Sequence, residues 1–198
     1  MNNESIEFYE RNGDEFALGS ASVDMSAIYR EFLPLVPQPA VILDAGCGSG
    51  RDAKYFHDQG SEVEAFDASA KMVRISRATT SIDVVHCTFL DYSSNKKFDG
   101  IWACASLLHL EHDVLCASLE HLFGFLNFGG VFYASFKLGS GVRHDAEGRL
   151  FLDLDESALR VLTKELGGIA VEKMWITPDQ RVTKQSVKWI NIIWRKVS

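Results

Sequence analysis

Several patterns are missing from this sequence, and each absence removes a class of function. No apolar run reaches the roughly 20 residues that cross a bilayer, so no membrane-spanning helix is expected. The first residues, Met1-Asn2-Asn3-Glu4-Ser5-Ile6-Glu7, lack the basic start and apolar stretch of a secretory signal. A cytoplasmic protein is the corresponding expectation. Cys47, Cys87, Cys104 and Cys116 form no Cys-x-x-Cys pair and have no matching His pair, so no metal site is expected. Three of the four sit among apolar or small residues and read as reduced, packed thiols. Positive charge is also scarce. A formal charge of −7 argues against non-specific nucleic-acid binding, which depends on a basic surface. Lys184, Lys188, Arg195 and Lys196 read as a local basic patch or as solvated strand edges. Internal repeats and low-complexity stretches are absent too.

What is present is a globular mixture. Hydrophobic residues make up 46% and charged residues 24% of 198 positions, enough apolar material for one domain with a two-sided core. Helical and strand-like patterns alternate, which predicts an α/β fold. Apolar spacing predicts a helix over 22–36, closed by Pro34, Pro37 and Pro39. A buried strand over 40–44 and a helix over 49–59 follow. A strand over 62–67 precedes a helix that Ser69 caps and that runs to about Ala78. Strands are expected over 83–87 and 98–103, a helix over 113–126, and a strand over 130–136. Asp155 caps a further helix that Gly167-Gly168 terminates, and strands over 169–176 and 185–195 close the chain. About seven strands result. The early ones are separated by helices and so should be parallel with right-handed crossovers, and the last pair should form an antiparallel hairpin.

Leu43-Asp44-Ala45-Gly46-Cys47-Gly48-Ser49-Gly50 stands where the first strand turns into a helix. Glycines there let a ligand approach the backbone, and the N–H groups of the helix start face it. The spacing is Gly-x-Gly-x-Gly with Arg51 next, whereas a dinucleotide fingerprint needs Gly-x-Gly-x-x-Gly. The acid two residues before the first glycine would sit badly beside a pyrophosphate. It suits a ligand with an ammonium and a nearby sulfonium, as S-adenosylmethionine has. Asp67 ends the second strand about twenty residues later, where a carboxylate can accept both ribose hydroxyls; its alternative role is a helix cap.

The run Val41-Ile42-Leu43-Asp44-Ala45-Gly46-Cys47-Gly48-Ser49-Gly50 resembles motif I of class I S-adenosylmethionine-dependent methyltransferases. Glu64-Ala65-Phe66-Asp67-Ala68-Ser69 resembles their ribose-binding loop, Phe98-Asp99-Gly100-Ile101-Trp102-Ala103 their fourth strand, and Phe128-Gly129-Gly130-Val131-Phe132-Tyr133 the turn into their fifth. The resemblance implies a Rossmann-like fold with a seven-stranded, mostly parallel sheet and helices on both faces. It divides one domain into an N-terminal lid and helix (1–38), a cofactor core (39–137), and substrate-side and C-terminal strands (138–198). It places Asp44, Gly46, Cys47, Gly48, Arg51, Asp67, Ala68, Met72 and Ala103 beside the cofactor, with Thr88 and Phe89 near adenine. Many members carry an acid where Thr88 stands, so Thr88 or Asp91 takes that contact. Gly50-Arg51-Asp52 and Ala105-Ser106-Leu107-Leu108-His109 are similar to the tellurite-resistance methyltransferases, small-molecule enzymes. The implied acceptor is small and is either anionic or a soft chalcogen nucleophile.

Tyr9 and Phe16, before the first expected helix, fit a segment folded over the cofactor or a frayed terminus. His109, after the fourth strand, is read as a general base or as a structural histidine in a turn, with His112 at the surface or capping the next helix. Lys137, Arg143, His144 and Arg149 follow the fifth strand and would face an anionic or polar acceptor, or lie in a solvated mobile loop. Trp175 and Trp189 read as core or edge packing. Two rivals stay open: an NAD(P)-dependent oxidoreductase, and a non-catalytic S-adenosylmethionine binder. A monomer and a homodimer fit equally.

Overall fold

The computed structural model describes residues 3–181 and 186–198. In chain order the elements are α1 (Asn3–Ala21), α2 (Ser26–Phe32), β1 (Val41–Ala45), α3 (Arg51–Asp58), β2 (Glu62–Asp67), α4 (Ala70–Thr80), β3 (Val84–His86), β4 (Phe98–Ala103), α5 (His112–Phe123), β5 (Leu126–Lys137), β6 (Gly141–His144), β7 (Leu150–Asp153), α6 (Glu156–Leu166), β8 (Ile169–Pro178) and β9 (Lys188–Lys196). Short 3-10 turns cover Leu33–Leu35 and Leu107–His109. Seven strands form one sheet in the order β3-β2-β1-β4-β5-β9-β8. The first five are mutually parallel, and β9 runs antiparallel to both β5 and β8. The mostly parallel sheet with its antiparallel C-terminal pair is the expected one.

The period-2 alternation of buried strands splits the core into two layers. Ile42, Trp102, Val131, Tyr133 and Ile193 pack with Phe32 of α2 and Phe56 of α3. Leu43, Ile101, Phe132, Ile192 and Trp194 point the other way, onto Leu115, Leu119 and Leu122 of α5 and Leu159 and Leu162 of α6. Helices therefore cover both faces. Expected caps are in place: Ser69 Oγ accepts the Met72 N–H at 3.2 Å, and Asp155 Oδ1 accepts the Ala158 N–H at 2.8 Å. Lys196, read as part of a basic patch or as a solvated strand edge, donates to the carbonyls of Phe123 at the end of α5 and Leu126 at the start of β5. Lys184, and the start of the last expected strand at Gln185, lie outside the described residues.

Two segments differ from expectation. Residues 3–21, expected as a lid segment or a frayed end, form a 19-residue helix. Its inner face is Ser5, Tyr9, Gly13, Phe16 and Ser20 at helical spacing, too polar to read as an apolar stripe. Gly13 is where α1 crosses α4; a Cβ there would meet Lys71 Cγ at 2.5 Å. The stretch expected as a loop over 139–148 is the β6–β7 hairpin. Asp145 makes its turn by accepting the N–H groups of Glu147 and Arg149 at 3.0 Å each.

Candidate active site

A cleft of about 760 Å³ opens over the carboxyl ends of β1, β2, β4 and β5. Open parallel sheets bind ligands there, because successive βα turns diverge at that edge. Its floor is the glycine turn. Gly46 sits at φ +77°, and a Cβ there would lie 2.6 Å from Ser106 Cβ. Gly50 caps α3 at φ +83°, and a Cβ would press on Thr80 Cγ2 at 2.5 Å. Both positions thus combine a left-handed backbone with a close neighbour, which leaves glycine alone acceptable.

Asp44, next to last in β1, is 2% exposed. Its Oδ2 is buried with no hydrogen-bond partner among the described residues. Burial, and then the negative charge of Asp52, push its carboxyl well above the ordinary range. A buried acceptor without a donor is costly, so the turn is built to meet a cationic or N–H-bearing ligand. Asp67, at the tip of β2, accepts the Gly48 N–H through Oδ2 and the Ser69 N–H through Oδ1, both at 2.8 Å. Each oxygen keeps a second lone pair. Burial raises its pKa as well.

Asp52 is the site residue that sequence reasoning missed. It is buried beneath the turn and receives four hydrogen bonds: from Tyr29 Oη at 2.5 Å, Arg51 Nε at 2.6 Å, Arg51 Nη2 at 2.8 Å and Trp102 Nε1 at 2.9 Å. Burial alone would raise its pKa, but the Arg51 charge and these donors hold it below the ordinary range. Arg51 therefore lines the cleft with its guanidinium committed to Asp52. Asp52 stood in the Gly50-Arg51-Asp52 run without a role of its own, because besides its neighbour Arg51 its partners come from two other elements, Tyr29 of α2 and Trp102 of β4.

Helix α1 roofs the cleft. Glu10 Oε1 accepts the Ser69 hydroxyl at 2.8 Å and the Lys71 N–H at 3.1 Å, an anion at the α4 N-terminus. The Ser20 and Ser49 hydroxyls meet at 3.2 Å, and Ser5 Oγ accepts the Leu150 N–H at 3.2 Å. Tyr9 reaches inward, and its hydroxyl lies 3.0 Å from His109 Nε2. His109 Nδ1 lies 2.7 Å from the Leu150 carbonyl. A carbonyl only accepts, so Nδ1 carries the proton, and Nε2 accepts from Tyr9. Burial drives the His109 pKa down to about 4 and the Tyr9 pKa up to about 12. Burial takes His109 out of the near-neutral range in which a histidine works as a base. Its free nitrogen is already engaged by Tyr9.

The cleft brings together Tyr9, Asp44, Gly46, Cys47, Gly48, Arg51, Asp67, Met72 and His109. It does not gather Ala68, Thr88, Phe89 or Ala103. The Ala68 carbonyl pairs with His86 Nε2 at 3.0 Å, Phe89 packs on Phe66, and Ala103 lies in the core under α5, leaving Cys104 and Ala105 at the lining. Thr88 and Asp91, two alternatives for one contact, bond to each other at 2.6 Å. Of Lys137, Arg143, His144 and Arg149, Lys137 and Arg149 line the cleft. Arg143 is held by Asp153 at 2.6 Å, and His144 faces Glu4 from the hairpin surface. Trp189 faces the cleft and donates to Asp179 at 3.0 Å, whereas Trp175 packs beside Tyr133. His112, Cys116 and Glu165 bring one ligand atom each within 4.8 Å of one another on the outer faces of α5 and α6, the one such cluster among the described residues. Among those residues no helix is long and apolar enough to cross a membrane.

Residues 42–130 match a family model described as a methyltransferase domain. Malonyl-[acyl-carrier protein] O-methyltransferase of Enterobacter lignolyticus is 33% identical over 96 residues, 46% of this chain and 37% of that protein. The enzyme of the same name from Pseudescherichia vulneris is 51% identical over 70 residues, 33% of this chain and 27% of that protein. The chain thus matches well under half the length of these curated relatives. Among solved structures, 1,6-didemethyltoxoflavin-N1-methyltransferase of Burkholderia thailandensis, with its substrate and S-adenosylhomocysteine bound, superposes with a TM-score of 0.77 at 24% identity, covering 98% of this chain and 85% of that one. N-methyltransferase NodS of Bradyrhizobium japonicum, with S-adenosylhomocysteine, gives 0.69 at 15% identity over 100% of both chains. These two share its fold.

Proposed function

We propose that the chain is a class I S-adenosylmethionine-dependent methyltransferase and that it transfers a methyl group to a small-molecule acceptor in the cleft under α1. The observation that carries this reading is Asp44: a buried, unpartnered carboxyl oxygen at the mouth of a glycine turn, with Asp67 across from it. The residues fit the cofactor. Asp44 would meet its ammonium, the Gly46–Gly48 backbone would lie against its chain, and Asp67 would take the ribose hydroxyls on its free lone pairs. Met72 and Phe16, which also line the cleft, would supply apolar contact. The family's cofactor supplies an already activated methyl group on sulfonium, so the chain's part is alignment and exclusion of water.

Helix α1 does the excluding, and Tyr9 does part of the alignment. The Tyr9 hydroxyl is oriented by His109, which Leu150 fixes in one tautomer. His109 is a positioning residue: with a pKa near 4 it would hold a proton in only about one molecule in a thousand at neutral pH. The division of labour we assign is a cofactor floor within 39–137, whose last residue, Lys137, faces the acceptor side, and an acceptor wall from 138–198 with α1 above.

Calorimetry with S-adenosylhomocysteine tests the reading. Binding is expected in the wild type, and about 10- to 100-fold weaker binding in Asp67→Ala, the loss of one hydrogen-bonded charged group. Selective binding of a nicotinamide dinucleotide instead would refute it. Binding without turnover of S-adenosylmethionine against any acceptor would reduce the protein to a binder.

A further inference from the structure

We propose that the methyl acceptor carries a carboxylate and that this group pairs with Lys137. The inference rests on the methyltransferase reading and concerns the acceptor half of the same cleft. Four strongly basic side chains line that cleft: Arg51, Lys137, Arg149 and Arg181. Three have carboxylates of their own. Arg51 forks onto Asp52, Arg149 pairs with Asp145 at 2.7 Å and Glu147 at 3.0 Å, and Arg181 pairs with Asp179 at 2.5 Å. Lys137 has no carboxylate within 4 Å among the described residues. Asp153, the acid whose charge acts on it, gives both oxygens to Arg143 at 2.6 and 3.2 Å.

The Lys137 ammonium is half-buried and lies 3.7 Å from the centroid of the Phe151 ring. Arg143 and Arg149 approach that ring at 4.7 and 5.3 Å. Burial, then the positive charge of Arg143, lower its pKa to about 8. A cation in this position lacks one negative charge. One uncompensated cation matches a monoanion such as a carboxylate, whereas a dianionic phosphate would leave excess charge unpaired.

The cleft is therefore bipolar. Asp44 waits for a cation at the end of β1, and Lys137 waits for an anion at the end of β5, with β4 between them. Strand spacing puts the two strands roughly 10 Å apart. The register sets Asp44 level with Tyr133, four residues short of Lys137, or about 13 Å along the strand. The Asp44 end lies inside the segment that matches the family model, residues 42–130. Lys137, Phe151 and Trp189 all lie outside it, which assigns the free cation to what distinguishes this chain rather than to the shared cofactor.

Benzoate and benzamide, nearly isosteric and differing in charge, are the probes, titrated by ligand-observed NMR into the full chain saturated with S-adenosylhomocysteine at pH 7. Benzoate is expected to bind about tenfold more tightly than benzamide, the lower end of what one hydrogen bond to a charged group contributes. Lys137→Gln should remove that preference, Lys137→Arg should keep it, and the S-adenosylhomocysteine affinity of both variants should stay within about twofold of wild type. Equal binding of the two probes to the wild type, or no binding of benzoate, overturns the proposal. So does a tenfold loss of S-adenosylhomocysteine affinity in Lys137→Gln, which would assign the cation to the cofactor's own carboxylate. Failure of the wild type to bind S-adenosylhomocysteine at all would instead strike the methyltransferase reading.

Discussion

Replacing Asp44 by Asn should stabilise the ligand-free protein and weaken the cofactor complex, two effects of opposite sign from one atom. In the free protein the Asp44 carboxyl is buried, has an unpartnered oxygen, and faces the charge of Asp52. Its folded-state pKa is raised. The stability it contributes is therefore full below the unfolded value near 4 and is lost as pH climbs toward the folded value, so at neutral pH the carboxyl is a net cost. Asn removes the charge at nearly the same volume. An uncompensated buried polar group costs about 1–3 kcal/mol, and at roughly 2–4 °C per kcal/mol for a chain of this size the ligand-free Tm should rise by about 2–12 °C. The same change deletes the anion that meets the ligand's ammonium, worth about 1.5–3 kcal/mol, so the Kd for S-adenosylhomocysteine should rise about 10- to 100-fold. Scanning calorimetry with and without S-adenosylhomocysteine, with isothermal titration for Kd, reads both. A lower ligand-free Tm together with an unchanged Kd would refute the reasoning, since it would mean that Asp44 serves the fold alone.

Asp52→Ala should be the most destabilising change in the site. It strands the Arg51 guanidinium and the Trp102 and Tyr29 donors, at about 3–5 kcal/mol, or some 6–20 °C in Tm by calorimetry. Gly50→Ala should cost about 1–3 kcal/mol in urea unfolding, because φ of +83° and the contact with Thr80 Cγ2 act together, and it should loosen α3 against α4. His109 makes stability fall as acid is added: its folded pKa of about 4 lies below the unfolded value near 6.5, so its contribution is full above 6.5 and drains as pH drops from there to 4. Urea midpoints across that window should lose on the order of 3 kcal/mol from this group, and His109→Gln should flatten the slope; an identical slope in the variant would show that other groups carry it. The pH–rate profile of the wild type should show no inflection from His109 near 6.5.

The glycine-turn floor of the cleft is legible in the sequence because its constraints are local. Gly46 and Gly50 are required by a left-handed backbone next to a neighbour, Asp44 and Asp67 stand at or next to the ends of consecutive parallel strands, and Ser69 caps the next helix within three residues of itself. Each rule acts over a few positions, so a linear pattern records it. Helix α1 escapes the same reading, since its buried face is turned toward a ligand cleft rather than a core. Ser5, Tyr9 and Ser20 sit where Leu or Ile would mark an amphipathic helix, and two glycines read as breakers. The β6–β7 hairpin escapes because its stabilising pairs, Arg143 with Asp153 and Arg149 with Asp145, look in sequence like the charges of a solvated loop.

The same logic explains why His109 could be found and its role could not. A histidine after the fourth strand at the carboxyl edge of the sheet is a positional signal. Whether it can take a proton depends on Leu150 and Tyr9, which lie 41 residues after it and 100 residues before it. Leu150 fixes which nitrogen is protonated, and Tyr9 occupies the other. Together with burial they convert a residue of ordinary basicity into a neutral bracket for the tyrosine hydroxyl. With His109 neutral and engaged by Tyr9, the unpaired acid in the shared segment and the unpaired cation beyond it suit an acceptor that arrives already charged. On the proposed function, Tyr9 would aim that nucleophile rather than deprotonate it.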